Sequence, residues 1–171
     1  CLAILPAGSG CFFLSFMALH ELIYVSLADH AMAADELCAL LTQARAFNRE
    51  RGITGLLVYR NREFMRLLEG ERDEVLALYQ HIENDPRHRQ VHRIWDGPIA
   101  ARSCQHWAMG YAEPTDRAWH ALPDGRQVLD EGLFAAGRSS AGKRRLLRLR
   151  DDFLSSASAR TPEGVPPVMR R

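Results

Sequence analysis

The most regular pattern of apolar and polar positions lies in residues 52–70. A run of β-forming residues at 53–59 is followed by four polar residues and then by a second apolar run at 64–68, which contains one charge, Arg66. Two short apolar runs joined by a few polar residues predict a β-hairpin. Because strand side chains alternate between two faces, Arg66 shares its face with the apolar residues two positions away. A charge on such a face needs water, a partner or a ligand.

Strand-like and helix-like patterns alternate through the first two thirds of the chain. The predicted elements are a strand at 20–28, a helix from Asp35, as its cap, to Arg51 before Gly52, the hairpin strands at 53–59 and 64–68, a helix from Asp73 to Pro86, and strands at 91–99 and 102–111. The order β-α-β-β-α-β, with one further strand, predicts an α+β fold of the ferredoxin-like type. In this fold two helices cover one face of an antiparallel-rich sheet. The last strand is expected to carry Gln105, Trp107, Met109 and Tyr111 on one face.

The chain divides into four segments of different composition. Residues 1–19 are apolar and uncharged but interrupted by proline and glycine, and we interpret them as a non-native or disordered leader before a natural start at Met17. A membrane-associating leader is the alternative. Residues 20–114 are expected to form the sheet domain. Residues 115–155 predict a C-terminal helical cap, and the Ser- and Pro-rich residues 156–171 predict a flexible tail.

Composition and motifs argue against several classes of function. The 171 residues are 47% hydrophobic and 25% charged, and a formal net charge of +1 argues against binding nucleic acid or an acidic membrane. The four cysteines are scattered, without a zinc pattern or a disulfide framework, so we expect a cytoplasmic location and no metal site. The sequence has no phosphate-binding loop, zinc-protease motif or nucleophile elbow, so we expect no enzymatic activity.

Seven short motifs give the sequence a family resemblance. They are L-I-Y-V-S at 22–26, A-x-x-x-N at 44–48, G-I-T-G-L-L at 52–57, F-x-x-x-L-E-G at 64–70, D-x-R-H at 85–88, P-I-x-x-R at 98–102 and W-x-M at 107–109. With these motifs in this order, the segment from Leu22 to about Glu113 resembles the BLUF family, the blue-light sensors that use FAD. The family's fold is the ferredoxin-like one that the periodicity predicts, with the flavin between the two helices.

The resemblance implies a role for each matching residue. Tyr24 matches the electron donor to the excited flavin, and Asn48 matches the asparagine that hydrogen-bonds the flavin's polar edge. Trp107 and Met109 match a signalling pair on the last strand. Leu40 and Ile82 are expected to flank the flavin ring. The other residues expected at the cofactor are Ser26, Arg66, Arg87 and His88.

These residue types suit a flavin. An isoalloxazine ring has an apolar body and a polar edge, so it needs an apolar slot with a few directed polar groups. An asparagine amide carries donors and an acceptor in one plane, and a neutral tyrosine is a reasonable one-electron donor once its proton has an acceptor. We therefore expect FAD as the cofactor, with FMN or loss of the flavin as alternatives.

The chain departs from the family pattern most clearly on the third strand, and to a lesser degree at Cys104 and Phe47. The family's third strand reads F-x-Q-x-L-E-G, and this chain has Arg66 at the glutamine position. The resemblance implies that this glutamine bridges the tyrosine and the flavin and that its amide rearranges after electron transfer. A guanidinium donates hydrogen bonds, accepts none and stays charged, so it cannot rearrange in this way. We expect Arg66 to pair with Glu63, Glu69, a flavin oxygen or water.

Each assignment also has a purely structural alternative. These are an ordinary strand tyrosine for Tyr24, local hydrogen bonds for Asn48, core packing for Trp107 and Met109, a solvated sheet edge for Arg66, and interaction with a helix dipole for Arg87 and His88.

The first functional hypothesis is a blue-light photoreceptor domain that binds FAD and signals through an unidentified partner protein. The contact surface would be the C-terminal helices or the open face of the sheet, and a homodimer or higher oligomer is compatible with the sequence. No nucleic acid or membrane partner is expected. The alternative is a degenerate BLUF-like module, with flavin but no normal photocycle or with no flavin, that acts in protein–protein interaction. A flavin-dependent redox enzyme is a third class, but the sequence offers it no recognisable substrate base.

Overall fold

The computed structural model describes residues 19–112 and 120–160, which form a five-stranded sheet with helices on both faces. The strands are β1 (Leu19–Ala28), β2 (Thr54–Arg60), β3 (Glu63–Glu71), β4 (His88–Pro98) and β5 (Gly110–Ala112). The helices are α1 (Ala34–Glu50), α2 (Arg72–Glu83), α3 (Gly125–Glu131), α4 (Leu133–Arg138) and α5 (Ser140–Arg160). The predicted element order and the α+β, ferredoxin-like class are confirmed.

The sheet places β1 and β3 side by side in its interior. The strand order is β4-β1-β3-β2-β5, and neighbouring strands are antiparallel except for β2 and β5, which are parallel. The register of β1 and β3 sets Tyr24 opposite Arg66 and Glu21 opposite Glu69. Side chains at opposite positions are neighbours on the same face, so the register fixes which polar groups meet.

Alternation along the strands separates two hydrophobic cores. On one face, Leu41 of α1 and Leu78 of α2 pack with Leu22, Phe64 and Leu68 of the strands. On the other face, the sheet packs against α3, α4 and α5. This second core joins Ile23, Val25, Met65 and Leu67 to Val128, Leu133, Ala136, Leu146 and Leu149.

The expectation of an open sheet face is wrong. Met65 and Leu67, which point away from α1 and α2, are 2% and 1% exposed because the C-terminal helices cover them. Apolar side chains on both faces of β3 therefore have helices to pack against. The outer surfaces of these helices and the sheet edges remain for a partner.

The turn between β2 and β3 is shorter than predicted. Strand pairing continues to Arg60 opposite Glu63, so Asn61 and Arg62 alone connect the strands. Both residues have positive φ angles, 49° and 68°, as a type I′ turn requires. Arg62 is held in this conformation by a hydrogen bond of 3.2 Å from its Nη2 to the main-chain oxygen of Ala28.

The first helix begins one residue before the predicted cap. Ala33 is the cap residue, and Asp35 lies inside the first turn. The Glu36 carboxylate accepts a hydrogen bond of 2.8 Å from the Ala33 N–H, so a residue inside the helix satisfies the free donor. The predicted helix end is confirmed, because Gly52 follows α1 with a φ of 61°.

The predicted last strand is wrong over most of its length. Residues 102–109 form turns and bends, with one main-chain hydrogen bond of 3.0 Å from the Gly55 N–H of β2 to Trp107 O, and the strand pairing with β2 is limited to Gly110–Ala112. The Trp107 N–H donates to Cys104 O at 2.9 Å, which closes a turn and interrupts the alternation of side chains. Trp107 therefore packs against the core beneath the C-terminal helices, whereas Met109 lies in the core beneath α1 and α2.

Two predicted segment boundaries fall inside elements. β1 begins at Leu19, the last residue assigned to the leader, and α5 continues to Arg160, beyond the predicted start of the tail. Residues 1–18 of the leader and 161–171 of the tail lie outside the described residues. None of the helices in the described ranges is both long and apolar enough to cross a membrane.

Candidate functional site

A slot opens between α1 and α2 above the face of the sheet that carries Tyr24 and Arg66. Its walls are largely apolar, and the strands supply polar groups at its base. The predicted cofactor residues that line it are Tyr24, Leu40, Asn48, Arg66, Ile82, Arg87 and His88. Trp107 and Met109, the predicted signalling pair, do not line it.

Helical spacing explains the apolar walls. Leu40, Ala44 and Phe47 recur at steps of four and three along α1, and Leu78 and Ile82 are four apart on α2. One stripe of each helix therefore faces the slot. The same spacing could have identified Ala44 and Leu78 as lining residues from the sequence.

Tyr24 and Arg66 lie side by side at the base because they are opposite each other in the sheet. Tyr24 is 0% exposed and Arg66 is 8% exposed, so Arg66 does not lie on a solvated sheet edge. Neither the Tyr24 hydroxyl nor Arg66 Nε has a hydrogen-bond partner of normal geometry among the described residues. Burial raises the pKa of Tyr24, and the nearby guanidinium offsets only part of this effect. The base therefore presents two buried polar groups that lack partners.

Asn48 connects Arg66 to the segment before β5. Arg66 Nη2 donates a long hydrogen bond of 3.5 Å to Asn48 Oδ1. Asn48 Nδ2 donates to Ala108 O at 2.6 Å. Arg45 Nε donates to Met109 O at 3.0 Å, which adds a second tie between α1 and this segment. The main chain beside Met109 is thus attached to the helix that lines the slot.

The expected ion pairs of Arg66 with Glu63 and Glu69 are not formed. Strand alternation directs the odd-numbered residues of β3 to the opposite face. Glu63 accepts a hydrogen bond of 2.7 Å from the Leu133 N–H. Glu69 accepts one of 2.9 Å from the Cys104 N–H. Neither carboxylate is therefore available to neutralise Arg66.

A neutral histidine lies beside the base of the slot. Ser26 Oγ is 2.9 Å from His88 Nδ1, and the His88 ring packs on Phe64 with centroids 5.0 Å apart. Burial, assisted by the charges of Arg66 and Arg87, lowers the pKa of His88 to about 4. Ser26, which the motifs place at the cofactor, does not line the slot. It is connected to the slot by its contact with His88.

The slot also carries an ion pair and two stacked rings. Arg87 Nε and Nη2 donate to Asp85 at 3.0 and 2.6 Å, and these hydrogen bonds lower the pKa of Asp85. The rings of Phe47 and His81 face each other with centroids 6.4 Å apart and planes 12° apart. Asp85 neutralises Arg87, so among the lining arginines only Arg66 has no carboxylate partner in the described residues.

Several lining residues were not assigned to the cofactor from the sequence. They are Gln43, Ala44, Phe47, Leu57, Phe64, Leu78, His81 and Asp85. No motif singles out Gln43 or His81, which are exposed positions on their helices. Gln105, which shares a predicted face with Trp107, lies instead in a separate depression beside Arg102.

On the far face of the sheet, a buried ion pair attaches α5 to β1. Arg150 Nη1 donates to both carboxylate oxygens of Glu21 at 2.6 Å. Glu21 is 4% exposed and lies opposite the fully buried Glu69. Burial raises the pKa of Glu21, and Arg150 offsets part of this effect. The C-terminal helix is therefore tied to the strand that carries Tyr24.

The segment that builds the slot matches one protein family. The model for "BLUF: Sensors of blue-light using FAD" matches residues 19–110, more than half of the chain. The chain belongs to the BLUF family. Its BLUF domain is a blue-light sensor domain that uses FAD, as the motifs predict.

Individual relatives agree with this assignment. Photoactivated adenylate cyclase subunit beta of Euglena gracilis is 37% identical over 84 residues, which are 49% of this chain and 10% of that protein. The dark-state structure of BlrB, a BLUF protein, gives a TM-score of 0.67 at 27% identity and covers 82% of this chain and 99% of BlrB. BlrP1 of Klebsiella pneumoniae with FMN and cyclic diGMP gives a TM-score of 0.55 at 28% identity and covers 80% and 34%. The chain thus spans about a tenth of the cyclase subunit.

The slot residues fit a flavin. Apolar walls suit the faces of a planar ring, and buried polar atoms without partners at the base suit its hydrogen-bonding edge. Among the lining residues Arg66 departs furthest from the expected pattern, because it adds a fixed charge where the motif predicts a neutral amide.

Proposed function

We propose that this BLUF domain holds FAD in the slot between α1 and α2. Leu40 and Ile82 flank the ring, and Tyr24, Arg66 and Asn48 face its polar edge. The observation that carries this proposal is the pair of buried groups without partners, the Tyr24 hydroxyl and Arg66 Nε. Such groups destabilise a protein unless a ligand or water completes their hydrogen bonds. When bound, FAD supplies absorption of blue light and a redox-active ring.

The remaining slot residues have supporting roles in this proposal. His88, kept neutral by burial, packs beside the base without adding charge. Arg87 and His81 suit the phosphate-bearing part of the dinucleotide, since both line the slot and are exposed. Asp85 accepts hydrogen bonds from both Nε and Nη2 of the Arg87 guanidinium and limits its movement.

The light response proposed for this chain does not use an amide rearrangement at position 66. A guanidinium has only donors, so Arg66 cannot exchange donor and acceptor toward Tyr24 or the flavin. We assign the response to Tyr24 as electron donor and to the contact that leaves the slot through Asn48, which Arg45 of the same helix supports with a second hydrogen bond to the same segment. These contacts end on Ala108 and Met109, so a change at the slot has a direct route to the segment before β5.

The output is proposed to go to a separate effector protein. The related protein of Euglena gracilis is named as a subunit of a photoactivated adenylate cyclase, but this chain covers only 10% of its length. In the described residues, no group of three His, Cys, Asp or Glu side chains could hold a metal ion. We propose that α3, α4 and α5 form the contact surface, because they pack directly on β1 and β3. We further propose that the chain has no enzymatic activity of its own.

A second candidate function is a flavin-binding interaction module with no light response. The observation that favours it is that Arg66, and not a glutamine, lies beside Tyr24 at the base of the slot. In this case the slot and its cofactor would be retained, and the C-terminal helices would still bind the partner.

Flavin binding and illumination separate these functions. The purified full chain is mixed with FAD, freed of excess, and its visible spectrum is recorded in the dark, under blue light and after return to darkness. A bound flavin band that changes under light by loss of absorption, without a reversible red-shift, supports the proposed sensor. Bound flavin with identical dark and light spectra supports the silent module. No bound flavin contradicts both.

A further inference from the structure

Arg66 brings a positive charge into the slot that no described residue neutralises. Its side chain is buried, its Nε has no hydrogen-bond partner of normal geometry, and its polar neighbours are the Asn48 amide at 3.5 Å and the Tyr24 hydroxyl, both of which are uncharged. The other charged lining residues are already balanced, because Asp85 and Arg87 pair with each other.

A buried cation without a counter-ion favours any anion that reaches it. Removing a guanidinium from water costs free energy, and only an opposite charge at close range offsets that cost. The interaction is stronger in a water-poor slot than at the surface, since the effective dielectric constant is lower. A glutamine at this position would offer no such preference, because it is neutral.

The oxidised and reduced flavin rings differ in charge. The oxidised isoalloxazine is neutral, whereas uptake of two electrons and one proton gives a ring that is an anion near neutral pH. A fixed cation beside the ring therefore interacts differently with the two forms, and charge near the ring is one way a protein tunes a flavin.

We infer that the slot binds reduced, anionic flavin more tightly than oxidised flavin, and that Arg66 is the residue that sets this preference. The domain then responds to the redox state of its surroundings as well as to light. This inference rests on the proposed binding of flavin in the slot. It is specific to this chain, because it depends on the arginine rather than on features common to the family.

Binding preference and reduction potential are two measures of the same free energy. If the protein binds the reduced form more tightly than the oxidised form, the midpoint potential of the bound flavin rises in proportion to the logarithm of the ratio of the two dissociation constants. For a two-electron couple, a tenfold ratio corresponds to about 30 mV. The preference can therefore be measured without any light response or activity.

The experiment compares the protein with its variants Arg66→Gln and Arg66→Lys and with a control variant, Arg126→Gln. Arg126 lies on α3, on the far side of the sheet, and its side chain is 81% exposed, so the control removes the same charge without touching the slot. FAD binding is titrated with oxidised FAD and, under anaerobic conditions, with FAD kept reduced by dithionite. The midpoint potential of each loaded protein is then measured spectroscopically.

The expected result is a reduced-to-oxidised affinity ratio at least about tenfold larger in the wild type and Arg126→Gln than in Arg66→Gln, with a midpoint potential about 30 mV higher. Arg66→Lys is expected to keep most of this difference, because it keeps the charge. An equal ratio in the wild type and Arg66→Gln overturns the inference and leaves flavin binding intact. Binding of neither flavin form by any variant overturns the proposed function and the inference together.

The apoprotein gives an independent test that needs no flavin. Because the buried charge of Arg66 has no counter-ion, Arg66→Gln without flavin is expected to unfold at a higher urea concentration than the wild type. Arg126→Gln is expected to unfold at the same urea concentration as the wild type. A lower midpoint for Arg66→Gln contradicts the claim that this charge is uncompensated, and circular dichroism before unfolding confirms that each variant is folded.

Discussion

Tyr24 on β1 and Arg66 on β3 occupy directly opposite positions in the sheet, at the base of the slot between α1 and α2. The guanidinium can donate to the tyrosine oxygen, but it cannot accept the tyrosine proton. Among the described residues the hydroxyl has no other partner. A proton that leaves Tyr24 on electron donation would therefore have to pass to the flavin or to water, whereas a glutamine at position 66 could accept it.

Removing the Tyr24 hydroxyl separates its role in light sensing from its role in stability. Tyr24→Phe is expected to abolish the light-induced spectral change while leaving the apoprotein as stable as the wild type or up to about 1 kcal/mol more stable, because the hydroxyl is buried without a partner. The control is Tyr79→Phe: the Tyr79 hydroxyl interacts with Glu83 and Arg93, so its loss is expected to destabilise the fold without removing the light response. Urea unfolding and illuminated spectra measure both effects. A light response retained by Tyr24→Phe would exclude Tyr24 as the donor.

Asn48 is expected to be important for both stability and flavin binding. The Asn48 side chain is 0% exposed, so water cannot replace the contacts that it makes. Asn48→Ala leaves Ala108 O without its hydrogen-bond donor and Arg66 Nη2 without its acceptor. We expect a loss of about 1–3 kcal/mol in the free energy of unfolding and weaker FAD binding. Asn84→Ala is the matched control, because Asn84 also donates to a main-chain oxygen but is exposed. Equal losses of unfolding free energy in the two variants would contradict the claim that burial makes the Asn48 amide more important for stability than an exposed one.

His88 gives the stability of the protein a defined pH dependence. Its pKa is about 4 in the folded protein, below the ordinary 6.5, so the unfolded chain binds the proton more readily between these values. The stability contributed by neutral His88 is complete above about pH 6.5 and is lost as the pH falls toward 4, to a limit of about 3 kcal/mol. His88→Asn should show a shallower loss over this range in urea unfolding. Parallel pH profiles for the two proteins would contradict this assignment.

The Arg150–Glu21 ion pair is expected to hold the C-terminal helix on the sheet. Arg150→Met leaves the Glu21 carboxylate buried and unpaired opposite Glu69, and we expect a loss of about 3 kcal/mol. Replacing both members, as Glu21→Gln with Arg150→Met, should recover most of it. Arg148→Met, which removes an exposed partner of Asp124, should destabilise the protein far less than Arg150→Met, because water screens an exposed ion pair. If the single and double variants are equally unstable, the ion pair is not what attaches the helix.

The sequence predicts the helices and the hairpin because each is a local pattern. The 3.6-residue stripes that contain Leu40 and Ile82 also point into the slot, so two of its walls follow from the same pattern. The position of Arg66 on the slot face follows from strand alternation alone. Tyr24, Asn48, Arg87 and His88 line the slot as the motifs lead one to expect.

What the sequence does not give depends on contacts between distant segments. The turn at Cys104 that separates Trp107 from Met109 depends partly on Glu69, which lies more than thirty residues earlier and accepts from the Cys104 N–H. Strand alternation alone would have excluded Glu63 and Glu69 as partners of Arg66. That one face of the sheet is covered depends on α3, α4 and α5 packing back onto it, and no local sequence pattern specifies this long-range contact.

Whether Arg66 determines the light response is decided by the absorption spectra of FAD-loaded wild type and Arg66→Gln, recorded in the dark and after blue light. We expect Arg66→Gln to give a modest red-shift of the flavin band that recovers in darkness, because the amide supplies a donor and an acceptor beside Tyr24. We expect the wild type, loaded with the same cofactor, to give no such reversible shift. A reversible red-shift in the wild type, or its absence in a flavin-loaded Arg66→Gln, would contradict the claim that Arg66 determines the photochemistry of this domain.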